Sequence, residues 1–291
     1  MPDANIVYRY TSIGRTLDPR YPTNVLILVL ALVGGLAGGA LALIGGRDLG
    51  SAFVAGLWAA VATFLAWVIT RDIDPDYPYS AFASAGVALV ACLLLGEPRL
   101  DLLALIGVSV SLRLISRVVG PACRWTDSVG ILVVALVLAV TGHGLESVMM
   151  GIAFALDGLM LPPLRRHLGF AAIAVVAGVL ALIAEPVTVV RPEGATANVL
   201  FAIVLAFGFL LITTHHVTSP CDVAGYELSA ARVQAAMVWL LAAAVIVGFT
   251  AGAEALTGFL PVWAALAGAA LYRAGHMALK SVRESKQGAQ D

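Results

Sequence analysis

The chain has 291 residues, 60% of them hydrophobic and only 12% charged, with a mean hydropathy of +0.96. A soluble domain carries about 45–50% apolar and about 25% charged residues, so this composition excludes a soluble globular fold and calls for an integral membrane protein. Lys and Arg number 17 against 18 Asp and Glu, so the chain lacks the basic excess that nucleic acid would require of a partner.

A membrane-spanning helix takes about 20 mostly apolar residues. Residues 1–23 form a polar arm with Arg9, Arg15 and Arg20, and the run after it is long enough to span, so it reads as a retained signal anchor. Apolar runs follow at 24–46, 49–70, 81–96, 100–120, 128–141, 145–161, 169–184, 198–214, 230–251 and 256–272. They are unbroken rather than alternating, and lipid admits only helices or closed barrels. The expected fold is an all-α polytopic helical bundle of about ten transmembrane helices. A single transmembrane domain would cover 24–272, followed by a tail at 273–291. Halves at 24–142 and 145–272 would hold five helices each, the arrangement that inverts on repetition in many transporters.

Placing the N-terminus inside leaves only Arg47, Arg99 and Arg191 in outer loops, with the other 14 of the 17 basic residues inside. The positive-inside rule then predicts both termini cytoplasmic, in the plasma (cell inner) membrane. Gly34, Gly35, Gly38 and Gly39 put a small-residue face on the first span for close helix packing. Trp67, Tyr77, Tyr79, Trp125, Tyr226 and Tyr272 are expected in the inner aromatic belt.

The unusual polar residues collect in the inner segments. Asp72, Asp74 and Asp76 alternate in Arg71-Asp72-Ile73-Asp74-Pro75-Asp76-Tyr77-Pro78, which on an extended segment would turn three carboxylates to one side, a donor set for Mg²⁺. The plainer account is that the prolines end the second span and the acids complement the dipole of the third. Asp18-Pro19-Arg20-Tyr21-Pro22 echoes this phrase before the first span, a weak trace of a repeat. On the fourth span, the spacing of Arg113 and Arg117 predicts a shared helix face. An intramembrane arginine is costly and marks a functional hypothesis once its partner is named. The expected pairs are Arg113 with Asp157 and Arg117 with Asp127, serving either substrate binding and gating or helix register.

Leu161-Pro162-Pro163-Leu164-Arg165-Arg166-His167 reads as a stop followed by a positive-inside anchor. His215, His216, Cys221 and Asp222 match no structural zinc spacing and read better as a polar cap for the ninth span. Glu146, Glu185 and Glu254 read as solvated outer span ends, and three scattered cysteines argue against a disulfide framework. There is no Walker loop, HExxH, GxSxG or dinucleotide fingerprint.

Two functional classes remain, with a third behind them. One is a secondary transporter or channel for a small, anionic solute, with Arg113, Arg117, Asp127 and Asp157 at a cytoplasmic vestibule and no cofactor required. The other is a membrane-embedded Mg²⁺-dependent enzyme acting on a lipid phosphate, with the three aspartates holding metal and Arg113, Arg117 and Arg124 holding phosphate. A non-catalytic membrane subunit is the third. The implied partners are the lipid bilayer, a small-molecule solute or lipid, and at most further copies of the chain in a homo-oligomer.

Overall fold

The computed structural model describes residues 11–15, 17–96 and 98–287, with the side chains of all but 249, 251–256 and 283–287. Arg9 and the side chains of Glu254, Arg283 and Lys286 lie outside the described residues. The chain is 74% helix. The helices are α1 (Pro22–Ile44), α2 (Leu49–Ile73), α3 (Ser80–Leu95), α4 (Leu102–Ser116), α5 (Trp125–Val140), α6 (Gly144–Leu159), α7 (His167–Ala184), α8 (Gly194–Thr213), α9 (Ala230–Gly258) and α10 (Leu260–Gln287). Among the described residues the only β pairing is an isolated bridge between Pro220 and Glu227.

Among the described residues, five segments are long and apolar enough to cross a membrane: α1, α2, α7, α8 and Ala230–Gly248 of α9. Helices α3, α4 and α5 are apolar but shorter. A 16-residue helix is about 24 Å long, against about 30 Å of bilayer hydrocarbon. The outward faces are apolar: Leu32 and Leu36 on α1, Leu180 and Ile183 on α7, and Phe201 and Leu205 on α8 are 57–71% exposed. Such continuous apolar surface is untenable in water and natural in lipid. The chain is a helical membrane protein.

Local chemistry sets the helix ends. Pro22 occupies the first turn of α1, where its missing N–H costs nothing. Asp48 caps α2 by accepting from Ser51 N at 3.0 Å, and Asp101 caps α4 by accepting from Ala104 N at 3.0 Å. Gly35, Gly38 and Gly39 all face α2, and a Cβ on the opposing Gly56 would sit 2.5 Å from the Gly35 carbonyl oxygen. The small-residue face therefore makes the α1–α2 contact, where the two backbones meet directly.

Helix α4 lies centrally, against α2, α5, α6 and α9, and α10 returns to pack on α2 and α3. The α2–α3, α4–α5, α6–α7 and α8–α9 connections meet the N-terminal arm at one end of the bundle, termed here the basic end. At the other end Asp101 N donates to the Gly258 carbonyl and His143 Nε2 lies 2.9 Å from Asp101 Oδ2.

Two expectations need correction. The fourth helix stops at Ser116, not near residue 120, because Arg117 turns into the left-handed region (φ 54°, ψ 29°). Residues 273–287, within the expected tail, continue α10 as helix. Trp67 is no belt residue: it is buried and packs against Phe64 and Phe82.

Candidate functional site

The basic end holds a buried polar network in two parts. The first centres on Asp157, near the end of α6 and fully buried. Arg117 Nε donates to Asp157 Oδ1 at 2.9 Å, and its Nη2 lies 2.6 Å from the same oxygen. Arg232, in the first turn of α9, donates to that oxygen at 2.8 Å through Nη1. The remaining donors of Arg232 reach the carbonyls of Ile115, Met160, Leu161 and Pro162, so one guanidinium ties α9 to the ends of α4 and α6.

Asp157 Oδ2 meets His167 Nδ1 at 2.8 Å, and His167 Nε2 lies 2.7 Å from Ser128 Oγ. The single proton of the Ser128 hydroxyl is directed at the Arg124 carbonyl, 2.9 Å from Oγ, rather than at the imidazole. In order of contact the three side chains still resemble a nucleophile, base and orienting acid. All three side chains are fully buried, however, and Phe154 and Phe170 pack on the imidazole. Arg166 stacks over Trp125 beside it and donates to the Cys123 carbonyl. The arrangement locks α5, α6 and α7 together.

The second part centres on Asp72, also fully buried. Arg113 Nε donates to Asp72 Oδ2 at 3.0 Å and its Nη1 to the Ile13 carbonyl at 3.0 Å. Arg15 Nη2 lies 3.3 Å from Asp72 Oδ1 and donates to Asp222 Oδ2 at 2.6 Å. The N-terminal arm is thus threaded into the network. Ser12 donates to Asp127 Oδ2 through its N–H at 2.8 Å and its hydroxyl at 2.7 Å. The arm passes so close to Gly120 that a Cβ there would sit 2.2 Å from the Ser12 carbonyl oxygen. Tyr226 closes the α8–α9 loop over this region by donating to the Arg117 and Gly120 carbonyls.

Neither expected pair forms. Arg113 meets Asp72 rather than Asp157, and Arg117 meets Asp157 rather than Asp127. The physical reason is the end of α4: Arg117 has left helical geometry, so a spacing of four no longer means a shared face. Asp127 instead accepts from Ser12 and from Arg124 N at 3.2 Å.

Nor do the three alternate aspartates turn to one side. Asp72 faces Arg113, Asp74 accepts from Arg273 Nη1 at 3.2 Å, and Asp76 accepts from the backbone N–H groups of Thr218 and Ser219. The segment begins inside α2 and turns at Asp74, so alternation does not carry through it. Burial pushes the Asp74 carboxyl up to about 6, partly offset by Ser80 and Arg273. Burial also pushes Asp76 upward, but its hydrogen bonds from Ser219 and Thr218 outweigh that and leave it below the usual carboxylate value. Among the described residues no group of three His, Cys, Asp or Glu side chains is placed to hold a metal ion, and this includes His215, His216, Cys221 and Asp222.

Sequence reasoning missed Arg15, Ser128, His167 and Arg232 as network members. The available signal was position: His167 and Arg232 stand in the first turn of apolar helices, where a polar ring or charge needs a partner.

A separate groove of about 440 Å³ runs between α8 and α10, lined by apolar side chains and by Arg273, which stacks over Tyr77 at 4.0 Å. No protein-family model, curated protein or solved structure matches the chain.

Proposed function

We propose that all ten helices cross the bilayer, with both termini cytoplasmic in the plasma membrane, and that the protein is a secondary transporter or channel for a small anionic solute. Helices α3 to α6 then span a locally thin or covered region, with non-helical backbone such as 117–120 buried in protein. An even count of crossings and the concentration of Lys and Arg at one end support this orientation.

The observation that carries the functional reading is the network at Asp157 and Asp72. Buried ionisable groups within a membrane bundle are costly, and they recur where ions or charged solutes pass. Here they join the arm, α2, α4, α6, α9 and the α8–α9 loop. Their pairings can be exchanged when those elements move, which is what a gate at the cytoplasmic end requires. With Arg113, Arg117, Asp127 and Asp157 all engaged, the gate is closed. The Mg²⁺-enzyme reading has less support, because Asp72, Asp74 and Asp76 serve three different partners.

Uptake of radiolabelled inorganic phosphate and small carboxylates into proteoliposomes tests the proposal. Flux above empty vesicles is expected for the native protein and for Asp74→Asn. Arg113→Ala, checked for monodispersity, should fall to background. Absence of flux for every anion, together with Mg²⁺-dependent conversion of a lipid phosphate in detergent, would overturn it.

A further inference from the structure

Three guanidiniums converge where the N-terminal arm meets α2 and α4. Arg113 is held by Asp72, and Arg15 bridges Asp72 and Asp222. Arg71 Nη2 lies 3.8 Å from Asp222 Oδ1. Their hydrogen bonding is incomplete. Nε and Nη1 of Arg15 and Nε of Arg71 are buried without a partner, and the Arg15 side chain is nine-tenths buried. A buried charged donor left unpaired is expensive, so these N–H groups mark a place where a further acceptor belongs.

Asp222 is the weak member of the cluster. It stands on the α8–α9 loop, its side chain is 30% exposed, and it reaches Arg71 only at 3.8 Å. Through it and the 25% exposed Arg71, the cluster reaches solvent. Without Asp222, Arg15, Arg71 and Arg113 face Asp72 alone, a net charge of +2. A dianion neutralises that charge, whereas a single carboxylate such as Asp222 leaves one positive charge over. Guanidinium forks also match the tetrahedral oxygens of a phosphoryl group.

We infer that Arg15, Arg71 and Arg113 form a binding site for a dianionic phosphoryl group, occupied in this state by the carboxylate of Asp222 as an internal stand-in. The ligand enters by displacing Asp222, and the α8–α9 loop moves with it. That this ligand is the transported solute rests on the transport reading; that it binds does not.

The test is equilibrium binding of inorganic phosphate to the full-length protein in a non-phosphate detergent, with dioctanoyl phosphatidate as a second probe and acetate as a monoanion. Saturable phosphate binding is expected, with acetate weaker by about tenfold or more. Asp222→Asn should bind phosphate about tenfold more tightly, and Arg71→Gln about tenfold more weakly. Asp222→Glu should resemble the native protein. Phosphatidate binding tenfold tighter than phosphate would support the site with a lipid headgroup as its ligand, and equal binding would support it with a free solute. Absence of phosphate binding in both the native protein and Asp222→Asn overturns the inference, as does native affinity in Arg71→Gln. If Asp222→Asn does not fold, the comparison of native protein with Arg71→Gln decides alone. Binding without flux would sink the transport reading and leave the site standing; flux without binding at this site would do the reverse.

Discussion

Arg117 lies 2.6 Å from Asp157 because it leaves α4 in the left-handed conformation, which carries its guanidinium away from the helix face of Arg113 and toward α6. A second guanidinium, Arg232, shares the same carboxylate oxygen. Asp157 therefore holds two buried positive charges, and removing it strands both. Asp157→Asn should cost on the order of 3–5 kcal/mol, the usual penalty for breaking a buried ion pair by deleting one partner. Denaturant titration in mixed micelles reads this directly. The double variant Arg117→Gln with Asp157→Asn should cost less than the two single changes together. Strict additivity would mean that the contact carries no coupling energy.

Gly120 and Ser12 make a close backbone approach at the basic end. Gly120→Ala places a Cβ 2.2 Å from the Ser12 carbonyl oxygen. Neither side of that contact is the far end of a flexible side chain, so the arm must lift and lose its bonds to Asp127. Loss of those two hydrogen bonds to a carboxylate is worth about 1.5–3 kcal/mol each. Limited proteolysis should cleave the arm of Gly120→Ala much faster than that of the native protein, while fragments from the α1–α2 connection appear at the native rate. Equal protection of the arm would show that it is not seated against Gly120.

At the opposite end, His143 and Asp101 form a pair whose stability contribution depends on pH. The hydrogen bond to Asp101 raises the His143 pKa, against desolvation. Burial pushes Asp101 up, but the bonds from His143 and from the α4 N-terminal N–H groups outweigh it and leave it low. For His143 the contribution is fully present below its unfolded value, about 6.5, and is lost as pH rises through the raised folded value. For Asp101 it is present above about 3.9 and lost as pH falls through the lowered value. The pair is thus complete between about pH 4 and pH 6.5. Thermal unfolding of native protein and His143→Gln from pH 5 to pH 9 should show a native advantage of about 1 kcal/mol or less near pH 5.5, shrinking as pH rises. An advantage that grows toward pH 9 would reverse the assignment.

The long apolar runs were legible because lipid leaves the sequence one solution: α1, α2, α7 and α8 follow directly from run length. The small-residue face on α1 was legible for the same reason, since only packing rewards four glycines in six positions. Pairings were not. Arg113 and Arg117 look equivalent by spacing, and what separates them is one residue of left-handed backbone that no local pattern announces. Asp72 reads as a loop acid by its neighbours, yet it falls in the last turn of α2 and faces the bundle. Arg15 and Ser12 sit in a polar arm that resembles solvent-exposed chain. Their roles arise from contacts with α2 and α5, about 60 and 115 residues away in sequence, a separation over which side-chain pairing is set by tertiary structure.

The most direct test of a gate at the basic end uses the three native thiols. Cys92, Cys123 and Cys221 are all free and buried. Burial pushes the Cys123 thiol up to about 12, with Asp157 and Asp127 adding to the rise, so it is doubly unreactive while the end is closed. Cys221 adjoins Asp222 in the loop proposed to move, whereas Cys92 lies within α3. Maleimide labelling should be followed by peptide mapping of protein in proteoliposomes, with and without a saturating transported anion. The anion should accelerate modification of Cys221, and to a lesser extent Cys123, while Cys92 stays protected. Sustained anion flux with Cys221 as protected as Cys92 would contradict it.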